Sequence, residues 1–397
     1  MFWSDATHLA QFGQAKAWPI YLFFGNLSKY LRGSPSLGAC HPIAFIPDLP
    51  DTIKKFISNL YPKKKNHHDI LAHCKRELVH AIWTILLDDD FIEAYKNGIV
   101  IKCYDGVKRR VFPRIFTYSA DYPENKVVAA RDVIYKLGSP IKGTAVEHLL
   151  KEFSLVPTIN AFVDRLSPLG FDLFPALVVD LLHEFELGIL KSVLKHLTRI
   201  LFSIDPSQVW TLNDRFYNIP PFGTDGIRRF PENAADMKHR VARHFEDMLQ
   251  CSIPAFEGLF PAEHDDIIRV LLFRLAEWHA LAKLRLHTDG SLQLLDHALK
   301  ALAAQLRKFE RITCNAFQTR ELPSETAARR RRQEMNVTSS RIQDPGARPK
   351  TFNLLTYKFH ALGDYVNTIK MFGTTDSYTM QIGESAHRLI KKFYGST

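Results

Sequence analysis

The feature that most constrains this chain is a change of hydrophobic period near Gly143. Beyond it, apolar residues recur every three or four positions, the spacing of one helix face. Leu182, Phe185, Ile189, Val193, Leu197 and Ile200 follow that step, as do Ile268, Leu271, Leu272, Leu275 and Trp278. Leu292, Leu295, Leu299, Leu302, Leu306 and Phe309 run in a heptad-like order, too short for a coiled coil and suited to packing inside a bundle. Before Gly143 the signals are mixed. Trp18–Phe24 is rich in aromatic and β-branched residues and ends at the turn pair Gly25-Asn26. Ile43–Ile46 predicts a short strand closed by Pro47. Residues 51–96 read as helix, broken near Pro62 and the lysines 63–65. Ile99–Tyr104 and Val111–Ser119 are strand candidates around Asp105-Gly106, a hairpin signal.

With 397 residues there is room for two or three units, each with its own core. The net charge of +10 is concentrated in two stretches. Residues 54–76 carry a net of +6 and residues 326–350 a net of +5. Localised basic stripes suit a polyanion, because neutralised phosphates release counterions; a solvated basic surface is the plainer alternative. The second stripe contains Arg329, Arg330, Arg331 and Arg332 followed by Ser, Thr, Gly and Pro, and predicts a flexible basic linker. A final ordered stretch is expected from Phe352 to Tyr394. The five cysteines are scattered and never spaced C-x-x-C, which suits a reducing compartment and argues against a zinc site. No signal-peptide pattern opens the chain and no apolar run approaches a membrane span, so a soluble intracellular protein without a membrane partner is expected.

Phosphate loops, dinucleotide fingerprints and nucleophile elbows are absent. His183-Glu184-Phe185-Glu186-Leu187 starts like a zincin motif, but Leu187 stands where the second histidine must be. His67, His68 and His73 could bind a metal, though beside so many lysines a solvated loop explains them better. Two aspartates stand at the ends of predicted strands. Asp121 follows Val111–Ser119, and Asp180 follows Ala176–Val179 just before a helix. Such a carboxylate can hold Mg²⁺, a hard ion that takes oxygen ligands, or it can cap the next helix. Spacing alone favours the cap for Asp180.

Longer blocks say more. SDATHLAQFGQAKAWPIYLFFGNLSKYLRGSPS, DGVKRRVFPRIFTYSADYPE, LVVDLLHEFELG and FNLLTYKFHALGDYVNTIKMFGTTDSYTMQIGESAHRLIKKFY closely resemble, in order, the catalytic region of Plavaka-type transposases, which are CACTA-like cut-and-paste elements of fungal genomes. The resemblance implies an α/β fold: a ribonuclease-H-like mixed sheet interrupted by a large all-helical insertion. It divides the chain into 1–180 as the first part of the core, 181–324 as the insertion, 325–350 as the basic linker and 351–397 as the part closing the core. It also implies a D-D-E triad holding two divalent ions, Mg²⁺ or Mn²⁺. One ion activates the attacking oxygen and the other stabilises the leaving oxygen. On the matching motifs the triad falls on Asp5, Asp121 and Glu384. Asp180 and His183 fit the family's [CD]-x-x-H motif, with Asp180 as an added metal ligand and His183 in support of the catalytic centre. DNA is the implied partner, with Lys63, Lys64, Lys65 and Arg329–Arg332 as the cations to contact it. The Arg329–Arg332 run also suits nuclear import, and self-association is left open.

Two departures from the family pattern matter. The short C-x-x-C segment that normally follows the ADYPE block is missing, so no zinc is expected. The chain begins four residues before Asp5, so the strand presenting it is expected to be stunted and the copy shortened. Three readings therefore stay open. The first is a two-metal nuclease acting on DNA, and the second a non-catalytic DNA-binding relic using residues 54–76 and 326–350. The third is a helical interaction module in which the carboxylates are incidental.

Overall fold

A computed structural model describes residues 1–9, 15–60, 67–118, 134, 144, 146, 158–223, 226–237, 242–336 and 346–395, excepting the side chains of 68, 174, 332 and 334–336. The fold is mixed α/β, mostly helical, with small antiparallel sheets. The chain divides into two compact units. The first comprises Met1–Val178 and Met380–Thr397, and the second Val179–Thr379.

The first unit is organised by a short sheet. Strands β1 (Phe2–Ser4), β2 (Thr7–His8), β3 (Lys16–Ala17), β4 (Pro19–Leu22) and β5 (His41–Phe45) come first in sequence. The main sheet has the order β1-β4-β5, antiparallel throughout, with Trp3 opposite Tyr21. Along the other edge of β1 runs the segment 115–118. Phe2 and Tyr118 form a parallel bridge, and the Phe2 amide donates to the Thr117 carbonyl at 2.9 Å. A strand thus forms inside the aromatic run 18–24, over Pro19–Leu22, and another overlaps the run 43–46 but begins earlier, over His41–Phe45.

Strand alternation sends Phe2 and Trp3 to opposite faces. On the Phe2 face the helix His67–Leu86 packs through Trp83, which meets the rings of Phe2, Tyr118 and Phe162 at centroid distances of 5.1, 4.9 and 4.6 Å. Trp83 Nε1 donates to the Tyr118 hydroxyl at 3.1 Å, so the buried indole keeps its hydrogen bond. On the Trp3 face lies the last helix, Met380–Gly395.

The hairpin forms with a shorter second strand than the pattern predicts. β6 (Ile99–Lys102) pairs with β7 (Lys108–Val111), and the ladder stops before Pro113, which has no amide hydrogen to donate. Residues 115–118 leave the hairpin to join β1. Asp105 is a turn residue: its carboxylate accepts from the Val107 amide at 3.1 Å and pairs with Arg109.

The second unit is helical. A π-helix, Leu181–Leu190, runs into the α-helix Lys191–Ile204, and all six apolar residues of the period from Leu182 to Ile200 are buried. Helices Ala262–Ala282 and Asp289–Lys308 form an antiparallel pair. The second of these opens on a capping box in which Thr288 and Ser291 exchange side chain-to-amide bonds. Phe185, Trp278 and Tyr365 form the centre, each successive pair of rings 4.9 Å apart.

The basic stretch departs from expectation. Residues Pro323–Asn336 are helical, so the flexible linker expected over 325–350 is in part an ordered helix. The reason is tertiary. Glu325 receives Arg199 at 2.7 Å and Lys195 at 3.2 Å, and also accepts from the Leu322 amide, anchoring the first turn. Residues 346–379 that follow belong to the helical unit, and the chain returns to the sheet unit at Met380.

Candidate functional site

In the sheet unit the candidate chemistry gathers at the carboxyl end of β1. Asp5 is the first residue beyond that strand and its side chain is 43% exposed. Strand alternation puts it on the Trp3 face, toward the last helix. That helix comes close because residue 383 is glycine: a Cβ there would sit 3.1 Å from the Cβ of Trp3. Glu384, the next residue, is exposed, and His387 lies one turn further on. His387 is buried, with Nδ1 2.9 Å from the Tyr21 hydroxyl and Nε2 3.7 Å from Asp5 Oδ2. The Nε2 atom makes no hydrogen bond among the described residues. Burial, reinforced by Cys40 and Asp5, pushes the Tyr21 hydroxyl well above its ordinary pKa, so it remains a hydrogen-bond donor.

Two members of the expected triad, Asp5 and Glu384, are therefore carried by elements packed directly on one another. The third, Asp121, lies outside the described residues, as do Lys63, Lys64 and Lys65. The donors fit a hard divalent ion in kind. Carboxylate oxygens are supplied from two elements, and an orphaned buried imidazole nitrogen faces one of them. Among the described residues, no three His, Cys, Asp or Glu side chains close around a common point.

The helical unit holds a second polar cluster. Asp180 caps the π-helix, with Oδ2 accepting from the His183 amide at 3.1 Å and lying 2.6 Å from His183 Nδ1. Oδ1 accepts from the Thr379 hydroxyl at 3.4 Å. The helix-cap reading of Asp180 is thus the geometry observed, and His183 is its direct partner. Beside them Glu184 is buried and its pKa is pushed up to about 7, first by burial and then by the Asp180 carboxylate. Its Oε2 accepts from the Asp180 amide and from the Tyr365 hydroxyl, each at 3.3 Å. Tyr365, fully buried and near both acids, is pushed far upward and keeps its proton. A carboxyl poised near neutrality and packed against a polar neighbour can hold or release a proton at ordinary pH.

Neither His387 nor Glu184 was among the residues expected from sequence. His387 had a signal, since it falls three residues after Glu384 and so shares its helix face. Glu184 had a weaker one, as a carboxylate inside the otherwise apolar run LLHEFELGIL.

The arginine run is only partly what sequence suggested. Arg329 Nε donates to the buried Glu321 at 3.0 Å, and its guanidinium also donates to the Gly346 carbonyl. It is a structural cation. No helix among the described residues is long and apolar enough to cross a membrane.

Residues 1–133 match the family model of the Plavaka transposase. No curated protein and no solved structure matches the chain.

Proposed function

Since residues 1–133 match the Plavaka transposase family model, we propose that this protein is a transposase-derived DNA nuclease. It would use a D-D-E triad on a ribonuclease-H-like core that the helical unit interrupts. The carrying observation is the return of the last helix to β1, which brings the turn holding Glu384 and His387 onto the strand that ends at Asp5. Sequence spacing supports the second aspartate. Tyr118, the bridge partner of Phe2, precedes Asp121 by three residues, and Phe2 precedes Asp5 by the same interval. The antiparallel strands with one parallel neighbour agree with the mixed sheet of that core.

Asp5, Asp121 and Glu384 would hold Mg²⁺ or Mn²⁺, which when bound lowers the pKa of the attacking oxygen and offsets charge on the leaving one. The chain's own groups do the positioning. Tyr21 fixes the His387 ring through Nδ1, and His387 Nε2 then faces Asp5 at 3.7 Å. Asp180 and His183 form a hydrogen-bonded pair within the helical unit; an added metal ligand and a polar group in support of the catalytic centre are the roles that the family resemblance gives them.

The test is nicking of supercoiled plasmid by the purified chain with Mn²⁺, beside Asp5→Asn, Asp121→Asn and Glu384→Gln. Metal-dependent nicking lost in all three variants is the expected result. Nicking that survives any of them removes that residue from the site. A second reading, a DNA-binding relic without cleavage, draws on the basic stretches 54–76 and 326–350. It predicts salt-sensitive DNA binding with no nicking by the parent chain.

A further inference from the structure

The helical unit carries an open groove of about 1110 Å³ in which none of the triad carboxylates takes part. One wall is the end of helix Asp289–Lys308 and the π-helical turn Phe309–Cys314 that continues it. The other holds Arg320 and Pro349, which bridge in antiparallel fashion, followed by Thr351 and Phe352. The first wall follows from sequence. Leu302, Leu306 and Phe309 turn into the core, so Arg307, Lys308 and Arg311 turn outward. Three cations within five residues thus line one side, and Arg320 stands on the other, donating to the Ala347 carbonyl.

Several of the unit's other basic groups are already answered by acids. Arg199 and Lys195 are neutralised by Glu325, Arg329 and Lys350 by Glu321, and Arg228 by Asp247. The side chains of Arg307, Lys308 and Arg311 make no hydrogen bond or ion pair among the described residues, and Glu310 is the one acid lining the groove. Like charges held this close repel one another, and an anion in the groove relieves that cost. A small anion would want donors converging on a point, whereas these cations follow one another along a helix. Between them and the opposite wall stand amide side chains and the ring of Phe317. A row of cations beside amides and an aromatic edge is the lining of a groove that tracks a phosphodiester strand.

We propose that this groove binds a single strand of nucleic acid, with Arg307, Lys308, Arg311 and Arg320 on the phosphates and Phe317 against a base. This surface is distinct from the arginine run, whose first member is occupied by Glu321. Nothing in it requires cleavage, and it stands whether or not the nuclease reading does.

The experiment is fluorescence anisotropy with the intact chain and a labelled oligothymidylate of about 16 nucleotides, in EDTA, over a salt series. Each phosphate neutralised contributes about −0.7 to the slope of log K against log salt for a single strand. Replacing Arg307, Lys308 and Arg311 together by Gln is expected to flatten that slope by about 2 and weaken binding by about tenfold or more at low salt. Lys300→Gln, on the same helix outside the groove and already paired with Asp296, is expected to change neither. In the parent chain, unlabelled single strand is expected to displace the probe better than duplex or polyglutamate at equal charge. A triple variant that folds and keeps the parent slope overturns the proposal. So does duplex or polyglutamate competing as well as the strand, an outcome that needs no variant at all.

Discussion

The two units solve the same problem, placing acids inside a protein, in opposite ways. In the sheet unit the core on the Phe2 face, opposite Asp5, is aromatic and neutral, built by Trp83, Tyr118, Phe2 and Phe162. Asp5 and Glu384 are left at the surface, partly or fully exposed. In the helical unit three glutamates go inside. Glu184, Glu186 and Glu321 are buried and answered by Tyr365, His279 and Arg329. Carboxylates kept in water bind a hard cation at low desolvation cost. Buried carboxylates instead fix the arrangement of the helices that answer them, because a partner removed leaves a charge or a donor stranded. By this contrast the exposed Asp5 and Glu384 are the acids on which the proposed metal chemistry rests, while Glu184, Glu186 and Glu321 are answered by partners within the helical unit.

The largest expected effect divides the units by activity. Asp5→Asn or Glu384→Gln should lower Mn²⁺-dependent nicking by about a hundredfold or more, while Glu321→Gln leaves the nicking rate per folded molecule unchanged. Equal losses from all three, at matched folded fraction, would break the comparison.

Next comes packing. Trp83→Ala should cost about 3–5 kcal/mol in the sheet unit alone, and Phe185→Ala a similar amount in the helical unit alone. Calorimetry should then show two transitions, each variant lowering one of them. A single transition shifted equally by both would mean that the units fold as one.

The third effect is a pH dependence confined to the helical unit. The folded pKa of Glu184, about 7, lies above its ordinary 4.5, so the folded chain holds the proton that the unfolded chain releases. Stability from this group is complete below pH 4.5 and is lost as pH rises through 7. Glu184→Gln, which can still accept from Tyr365, should remove that fall and leave the unit about 3 kcal/mol more stable than the parent at pH 8. Urea midpoints at pH 4 and pH 8 measure it; parallel pH profiles for parent and variant would contradict the assignment.

The smallest effect has the opposite sign. Glu325 is pushed up by burial, but hydrogen bonds from Arg199 and the Leu322 amide, with the charges of Arg199 and Lys195, hold it at about 2. Its stabilisation is present above pH 4.5 and lost as pH falls through 2. Partial solvent access limits the loss in Glu325→Gln to about 1–2 kcal/mol at neutral pH. Melting of the parent at pH 2 and pH 6, beside the variant, reads it directly.

The sequence by itself determined the strands at 19–22 and 41–45 and the helical second half. It also determined the resemblance to Plavaka transposases, which the match over residues 1–133 supports. These are local properties: a period of two or three and a half residues, a turn pair, a block of motif. It also marked Asp180 as a helix cap, because a cap acts within four residues of itself. Only the tertiary structure decided that His387 faces Asp5 from nearly the whole length of the chain away. The same holds for the burial of Glu184 beside Asp180, the helix at 323–336 and the occupation of Arg329. Each depends on what a distant element brings within a few ångströms, and that is settled by packing and by desolvation of charge rather than by the spacing of residues along one segment. The run of four arginines shows the physical reason most plainly: composition gives its charge, but a single buried glutamate decides whether the first of them is offered to DNA or spent on the fold.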